Sequence, residues 1–175
     1  MIRILGISGS LRATSSNNVI LKTVAGMAAG KADLTIYDGL ADLPHFNDSE
    51  MTPPAVERFR QLLAEADAVF ICTPEYAFGV PGSLKNALDW TVGTGDFVNK
   101  PVALVTASSK GDKAHAALSD TLTAISASIP EGGKLLISFV RSKLNEKGEV
   151  TDPATMDALR SVLDALIRHT TSSLN

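Results

Sequence analysis

A short polar segment near the start of the chain carries residue types that bind phosphate groups. It lies between an apolar run at 2–7 and a stretch of helical periodicity at 17–29, so it should form a loop between a strand and a helix. Such a loop offers backbone N–H groups, hydroxyls and a helix N-terminus to an anion, and a guanidinium adds a charged donor. We therefore predict a phosphate-binding loop whose donors are Ser10, Arg12, Ser15 and Asn17.

Other interpretations of this loop are weaker. The pattern Gly-x-x-x-x-Gly-Lys-Ser/Thr is absent from the sequence, and the dinucleotide pattern Gly-x-Gly-x-x-Gly is broken after the first apolar run, which favours a phosphomonoester. In the alternative interpretation the polar residues only form turns and a helix cap, with Ser16 or Asn17 as the N-cap. Caps would explain one or two of these residues but not Arg12, so phosphate binding is favoured over caps alone.

The elements that position this loop follow from an alternation of apolar runs and amphipathic stretches. Such alternation is typical of a parallel sheet covered by helices on both faces, and ligands bind such sheets outside the carboxyl ends of the strands. The predicted strands are 2–7, 32–37, 68–73, 101–107 and 134–140, and the predicted helices are 17–29, one from 53, 83–90, 114–128 and one from 153. Polar loops follow the first, third and fourth strands and should meet at one edge of the sheet: 8–17, 74–82 and 108–113.

Composition restricts the class of protein. The 175 residues, 45% apolar and 20% charged, indicate one globular domain spanning 1–175. A net charge of −3 with dispersed Lys and Arg argues against a nucleic-acid partner. No segment approaches the ~20 apolar residues of a membrane span and no leader is evident, so we expect a cytoplasmic protein without a membrane partner. Scattered histidines predict no metal site, and Cys72 should be a buried, inert thiol.

Two motifs together carry a resemblance to a known family. They are Gly9-Ser10-Leu11-Arg12-x-x-Ser15-x-Asn17 and Pro74-Glu75-Tyr76 followed by Pro81-Gly82-x-Leu84-Lys85-Asn86-Ala87-Leu88-Asp89-Trp90. In order and separation they resemble the phosphate loop and the isoalloxazine loop of the NADPH-dependent FMN reductase family, which includes bacterial chromate, quinone and azo-dye reductases.

The resemblance implies a flavodoxin-like three-layer α/β sandwich with a five-stranded parallel sheet of order 2-1-3-4-5. It also implies an oxidoreductase that passes a hydride from NADPH, or NADH, to bound FMN and then passes electrons to a small-molecule acceptor. Free flavin, a quinone, an azo compound and chromate are the acceptors to consider. The flavin carries the chemistry, so no catalytic side chain is expected. A homodimer or homotetramer with the flavin near a subunit boundary is also implied.

The cofactor-binding residues expected on this basis lie in all three polar loops. In the second loop the ring would be lined largely by backbone groups. The expected residues are Ser10, Arg12, Ser15, Ser16 and Asn17 in the first loop, Pro74, Glu75, Tyr76 and Ala77 in the second, and Ser108, Ser109 and Gly111 in the third.

The chain departs from the family pattern on the ring and acceptor side. Ala77 stands where the family usually has Asn, and 108–113 holds one glycine where the family usually has several. Lys110 and Lys113 could favour an anionic acceptor or the NADPH phosphate, or could be solvated loop lysines.

Two other functions stay open. They are a flavodoxin-type electron carrier without its own NAD(P)H oxidation and a flavin-free module that binds phosphoesters. Carriers tend to be strongly acidic and to lack an arginine in the phosphate loop, so the charge of −3 and Arg12 favour the reductase.

Overall fold

A computed structural model describes residues 1–47 and 51–174. Within those ranges it shows an all-parallel sheet of order β2-β1-β3-β4-β5, which confirms the predicted fold class and strand order. The strands are β1 Ile2–Ser8, β2 Ala32–Tyr37, β3 Ala68–Thr73, β4 Val102–Ala107 and β5 Lys134–Ile137. The helices are α1 Ser16–Ala28, α2 Pro54–Glu65, α3 Gly82–Val92, α4 Asp112–Ala124 and α5 Pro153–Leu174, with short 3₁₀ turns at Leu40–Asp42 and Val140–Lys143.

The helices cover both faces of the sheet and give three layers. Alternate residues of a strand point to opposite faces, so Val69 and Ile71 join a core with α2, α3 and α4, whereas Phe70 and Cys72 join a core with α1 and α5. Every residue of β3 and β4 is buried. This burial explains why both strands are nearly continuous apolar runs in the sequence.

Element boundaries differ from the predicted ones where a local backbone constraint intervenes. The helix predicted from Pro53 begins at Pro54, because a residue before proline is held in an extended conformation; Pro53 has φ −62° and ψ 146°. The helix predicted to reach 128 ends at Ala124, close to Ser126, which adopts a positive φ of 61°. The predicted irregular segment 39–52 includes 48–50, which lie outside the described residues.

The fifth strand is shorter than predicted, and its end shapes one side of the molecule. It stops at Ile137 rather than 140, since Phe139 takes a left-handed conformation with φ 54° and the chain then enters a 3₁₀ turn.

Among the described residues, none of the helices combines the length and apolar character needed to cross a bilayer.

Candidate functional site

A cavity of about 600 Å³ lies at the carboxyl edge of the sheet. Its walls come from the loops after β1, β3 and β4 and from the turn after β5, so the three predicted loops converge as expected. Its size is within the range of sites for small ligands. The predicted residues that line it are Ser10, Arg12, Ser15, Ser16, Asn17, Pro74, Glu75, Tyr76, Ser108 and Ser109.

Two predicted residues do not line the cavity, and several lining residues were not predicted. Ala77 lies in a tight turn with a φ of 48°, and Gly111 precedes α4 with a φ of 97°, where a left-handed backbone suits glycine. The lining residues that sequence reasoning missed are Thr14, Ala107, Phe139, Val140, Arg141 and Ser142. Arg141 follows a run, 134–140, that has the composition of a strand, and the left-handed backbone at Phe139 that ends β5 earlier has no signal in the sequence.

Gly9 allows the first loop to cross directly against the end of β3. Its backbone N–H donates to the carbonyl of Cys72 at 2.8 Å. A Cβ atom at this position would lie 2.2 Å from Oγ1 of Thr73, whose side chain is fully buried. Because Gly9 has no side chain, the first loop packs directly against the end of β3, where the second loop begins.

The first loop is held by hydrogen bonds of its own. The Arg12 backbone N–H donates to Ser10 Oγ at 3.4 Å, and the carbonyl of Arg12 accepts from Ser15 N at 3.0 Å and from Asn18 Nδ2 at 2.8 Å. Ser15 Oγ accepts from the N–H of Asn18 and is the N-cap of α1, one residue before the earliest predicted cap, Ser16. The cap engages the N–H of Asn18 and leaves the earlier N–H groups of α1 without an acceptor in the helix.

Asn17 lines the cavity at the start of α1. Its side chain is buried, donating from Nδ2 to the carbonyl of Ala107 at 3.2 Å and accepting at Oδ1 from Cys72 Sγ at 3.2 Å. These bonds fix the N-terminus of α1 against β3 and β4. The N–H groups of Ser16 and Asn17 lie in the first turn of α1, where a helix has no internal acceptor for them.

The guanidinium of Arg12 is available to a ligand. Its side chain is exposed. Within residues 1–47 and 51–174 it forms no ion pair and donates no side-chain hydrogen bond. A free guanidinium beside a helix N-terminus gives this end of the cavity a positive potential.

Glu75 connects the second and third loops. Its Oε2 accepts from the backbone N–H groups of Lys113 and Ala114, both at 2.9 Å, in the first turn of α4. The N-cap of α4 is Gly111, which has no side chain to make these bonds, so Glu75 caps the helix from another loop. The backbone N–H of Glu75 donates to Ser108 Oγ at 3.3 Å.

We expect Glu75→Ala to lower the free energy of unfolding by about 1–2 kcal/mol, because the α4 N–H groups lose their cap. Glu75→Gln should cost less, since an amide oxygen still accepts from these donors. Urea unfolding of the ligand-free protein measures both, with Glu131→Ala at an exposed position as the control. Equal small losses for Glu75→Ala and Glu131→Ala would contradict the capping role.

The second loop contains a strained turn. The backbones of Tyr76 and Gly79 exchange two hydrogen bonds, of 3.0 and 2.9 Å, around Ala77 and Phe78, whose φ angles are 48° and 60°. Positive φ at both central positions favours Asn-Gly, and side chains with a Cβ are strained there. Phe78 is 76% exposed, so it buries little area to offset that strain.

Phe78→Gly should therefore raise the free energy of unfolding by about 0.5–1 kcal/mol. Val98→Gly is the matched control, because Val98 is also an exposed apolar residue but does not have a positive φ. The control should lose stability in the same urea experiment. Loss of stability in Phe78→Gly would show that the ring packs against a surface instead.

Comparisons with known proteins agree with this geometry. A family model described as NADPH-dependent FMN reductase matches residues 2–141. An NAD(P)H-dependent FMN reductase of Pseudomonas aeruginosa is 32% identical over 173 residues, covering 94% of this chain and 93% of that protein. A quinone reductase of Escherichia coli is 30% identical over 174 residues, covering 94% and 93%. A flavoenzyme NAD(P)H:(acceptor) oxidoreductase of Paracoccus denitrificans has a similar structure, with a TM-score of 0.85, 26% identity and 98% coverage of each chain.

Proposed function

The chain belongs to the NADPH-dependent FMN reductase family, and we propose that it binds FMN in the cavity at the carboxyl edge of the sheet and reduces a quinone. As a member, it is an NAD(P)H-dependent FMN or quinone reductase that uses FMN and NAD(P)H. The observation that carries the proposed site is that residues of the first loop and residues 74–76 line one cavity.

The residues on one side of the cavity fit a phosphate monoester. Such a group carries a charge of about −1.5 to −2 at neutral pH and accepts several hydrogen bonds. The free guanidinium of Arg12, the Ser10 hydroxyl and the N–H groups of Ser16 and Asn17 are donors of the required kind. In the proposal these groups hold the FMN phosphate.

The residues on the other side fit a planar ring. The cavity is lined there by Pro74, Glu75 and Tyr76, and the Glu75 carboxylate is engaged by the N–H groups of α4. The ring would therefore meet backbone groups and apolar side-chain atoms rather than a free carboxylate. This arrangement suits a flavin, whose reduced form is negatively charged and would be opposed by an adjacent anion.

Bound FMN would supply hydride acceptance and electron transfer, and the chain supplies position and access. The Asn17 side chain holds α1 against the sheet, and the Glu75 cap holds the second loop against the third. Cys72 lies beneath Asn17, and burial raises the pKa of its thiol, so the thiol stays protonated and internal.

A quinone is proposed as the acceptor on two grounds. The side chains of Tyr76 and Phe139 line the cavity and are 51% and 68% exposed, so a planar apolar molecule could stack on them. The similar Escherichia coli protein is named a quinone reductase. Other acceptors in the family are outcomes that the assay below separates.

We further propose that the chain forms a single domain and assembles into a homodimer or homotetramer. The support for this assembly is the family resemblance carried by the two sequence motifs. Light scattering after gel filtration measures the subunit number, and a monomer at micromolar concentration would contradict the assembly.

The function is tested by reconstituting the purified protein with FMN and measuring flavin absorbance and NADPH or NADH oxidation. A simple benzoquinone, free FMN, an azo dye and chromate serve as acceptors in parallel, with buffer lacking protein as the control. We expect bound flavin and the highest kcat/KM with the quinone. No flavin binding would defeat the proposal, and flavin binding without oxidation of NADPH or NADH would favour an electron carrier.

A further inference from the structure

The turn after β5 forms one wall of the cavity. The other walls come from the three polar loops. Phe139, Val140, Arg141 and Ser142 all line it. Nothing in the phosphate-loop or ring-loop motifs involves this turn, which follows β5, the edge strand beside β4.

Hydrogen bonds fix the turn in place. The backbone N–H groups of Phe139 and Val140 donate to the carbonyls of Ser109 and Ser108, at 3.0 and 3.1 Å. Ser142 Oγ donates to the carbonyl of Phe139 at 2.8 Å. The third loop and this turn are therefore one connected wall.

The backbone of the turn brings Arg141 to the cavity. Phe139 holds a left-handed φ of 54°, an uncommon conformation for a bulky residue, and such strain persists where the surrounding structure determines it. Val140 follows with its side chain buried in the core formed with α1 and α5. Arg141 is thus held next to an anchored residue, although its own side chain is exposed.

The charges lining the cavity are unbalanced. Arg12 and Arg141 contribute two guanidiniums, and neither forms an ion pair with any residue in 1–47 or 51–174. Glu75 is the acidic residue in the lining, and its carboxylate already accepts two N–H groups of α4. A phosphate monoester carries up to two charges, which one guanidinium and a helix N-terminus do not fully offset.

We propose that Arg141 is a second phosphate-binding residue of this cavity, beside Arg12 of the first loop in its lining. The inference rests on the proposed function. The phosphate group is that of FMN or the additional phosphate that distinguishes NADPH from NADH, and both offer the same monoester chemistry to a guanidinium.

Arg141→Gln tests this inference, with Lys147→Gln as the matched control. Both substitutions remove one positive charge from an exposed side chain in neighbouring segments, but Lys147 does not line the cavity. Fluorescence titrations of the flavin-free protein give Kd for FMN and for riboflavin, which lacks the phosphate. Initial rates of the FMN-loaded protein give KM for NADPH and for NADH.

We expect Kd for FMN to rise about tenfold in Arg141→Gln, with Kd for riboflavin unchanged, if the phosphate is that of FMN. A rise of about tenfold in KM for NADPH, with KM for NADH and both flavin Kd values unchanged, would assign Arg141 to the NADPH phosphate instead. Arg141→Lys should recover part of either loss, because it keeps the charge without the planar donor pair.

The inference is overturned if Arg141→Gln equals Lys147→Gln in all four constants. It is also overturned if FMN and riboflavin weaken equally, which would mark Arg141 as structural. Failure of the unsubstituted protein to bind either flavin would instead defeat the proposed function, so the two failures are distinguishable.

Discussion

Replacing Arg12 with alanine should raise Kd for FMN about 10- to 100-fold, the loss expected for one charge-assisted hydrogen bond to a phosphate. The free energy of unfolding of the ligand-free protein should change by less than about 0.5 kcal/mol, as for other exposed positions. The physical reason is that the Arg12 side chain is exposed and its guanidinium has no partner in residues 1–47 and 51–174. Flavin fluorescence titration and urea unfolding measure the two quantities.

Two controls isolate the phosphate contact. Arg58→Ala removes an exposed arginine on α2, away from the cavity, and should change neither Kd nor stability. Riboflavin should bind the Arg12→Ala variant as well as it binds the unsubstituted protein. If FMN affinity and stability fell together, Arg12 would have a structural role.

Gly9→Ala should lower the free energy of unfolding by about 2–3 kcal/mol, the upper range for adding a methyl group to a well-packed interior. The new Cβ would lie 2.2 Å from Thr73 Oγ1, 2.8 Å from Thr73 Cβ and 3.1 Å from Thr73 Cα. Thr73 is fully buried at the end of β3, so it cannot move aside cheaply. The first loop must lift away, losing the hydrogen bond from Gly9 N to the carbonyl of Cys72.

The same substitution should also weaken FMN binding by more than about tenfold. When the first loop moves away from β3, its phosphate donors are no longer held at the correct distance from residues 74–76, which contact the ring in the proposal. Gly26→Ala is the matched control. Gly26 lies inside α1, and a methyl group there would meet no atom within 4 Å beyond the backbone of its own helix, so alanine should raise stability by about 0.5–1 kcal/mol. Similar effects of the two substitutions on urea unfolding would contradict the close approach at Gly9.

The fold and three walls of the cavity were predictable because each rests on a local signal. Apolar runs such as 68–73 and 101–107 correspond to strands buried on both faces, and a run of this length is visible in the sequence without knowledge of the strands that pair with it. Polar loops at the carboxyl ends of β1, β3 and β4 meet because parallel strands place their ends at one edge.

The remaining features depend on contacts that the sequence does not display. The left-handed backbone at Phe139 interrupts an apolar run at 134–140 that has the composition of a strand, so the sequence alone gives no reason to include Arg141 in the site. The Glu75 carboxylate caps a helix 38 and 39 residues further along the chain. The Asn17 amide is engaged by Ala107 and Cys72, which lie 90 and 55 residues away in the chain.

The central claim is that FMN occupies the cavity with its phosphate at the first loop and its ring at the second. A crystal structure of the protein with FMN tests this most directly. We predict the phosphate within hydrogen-bonding distance of the Arg12 guanidinium and the first N–H groups of α1, with the ring against the backbone of 74–76. Density for FMN in the reverse orientation, or at another surface, would contradict the account.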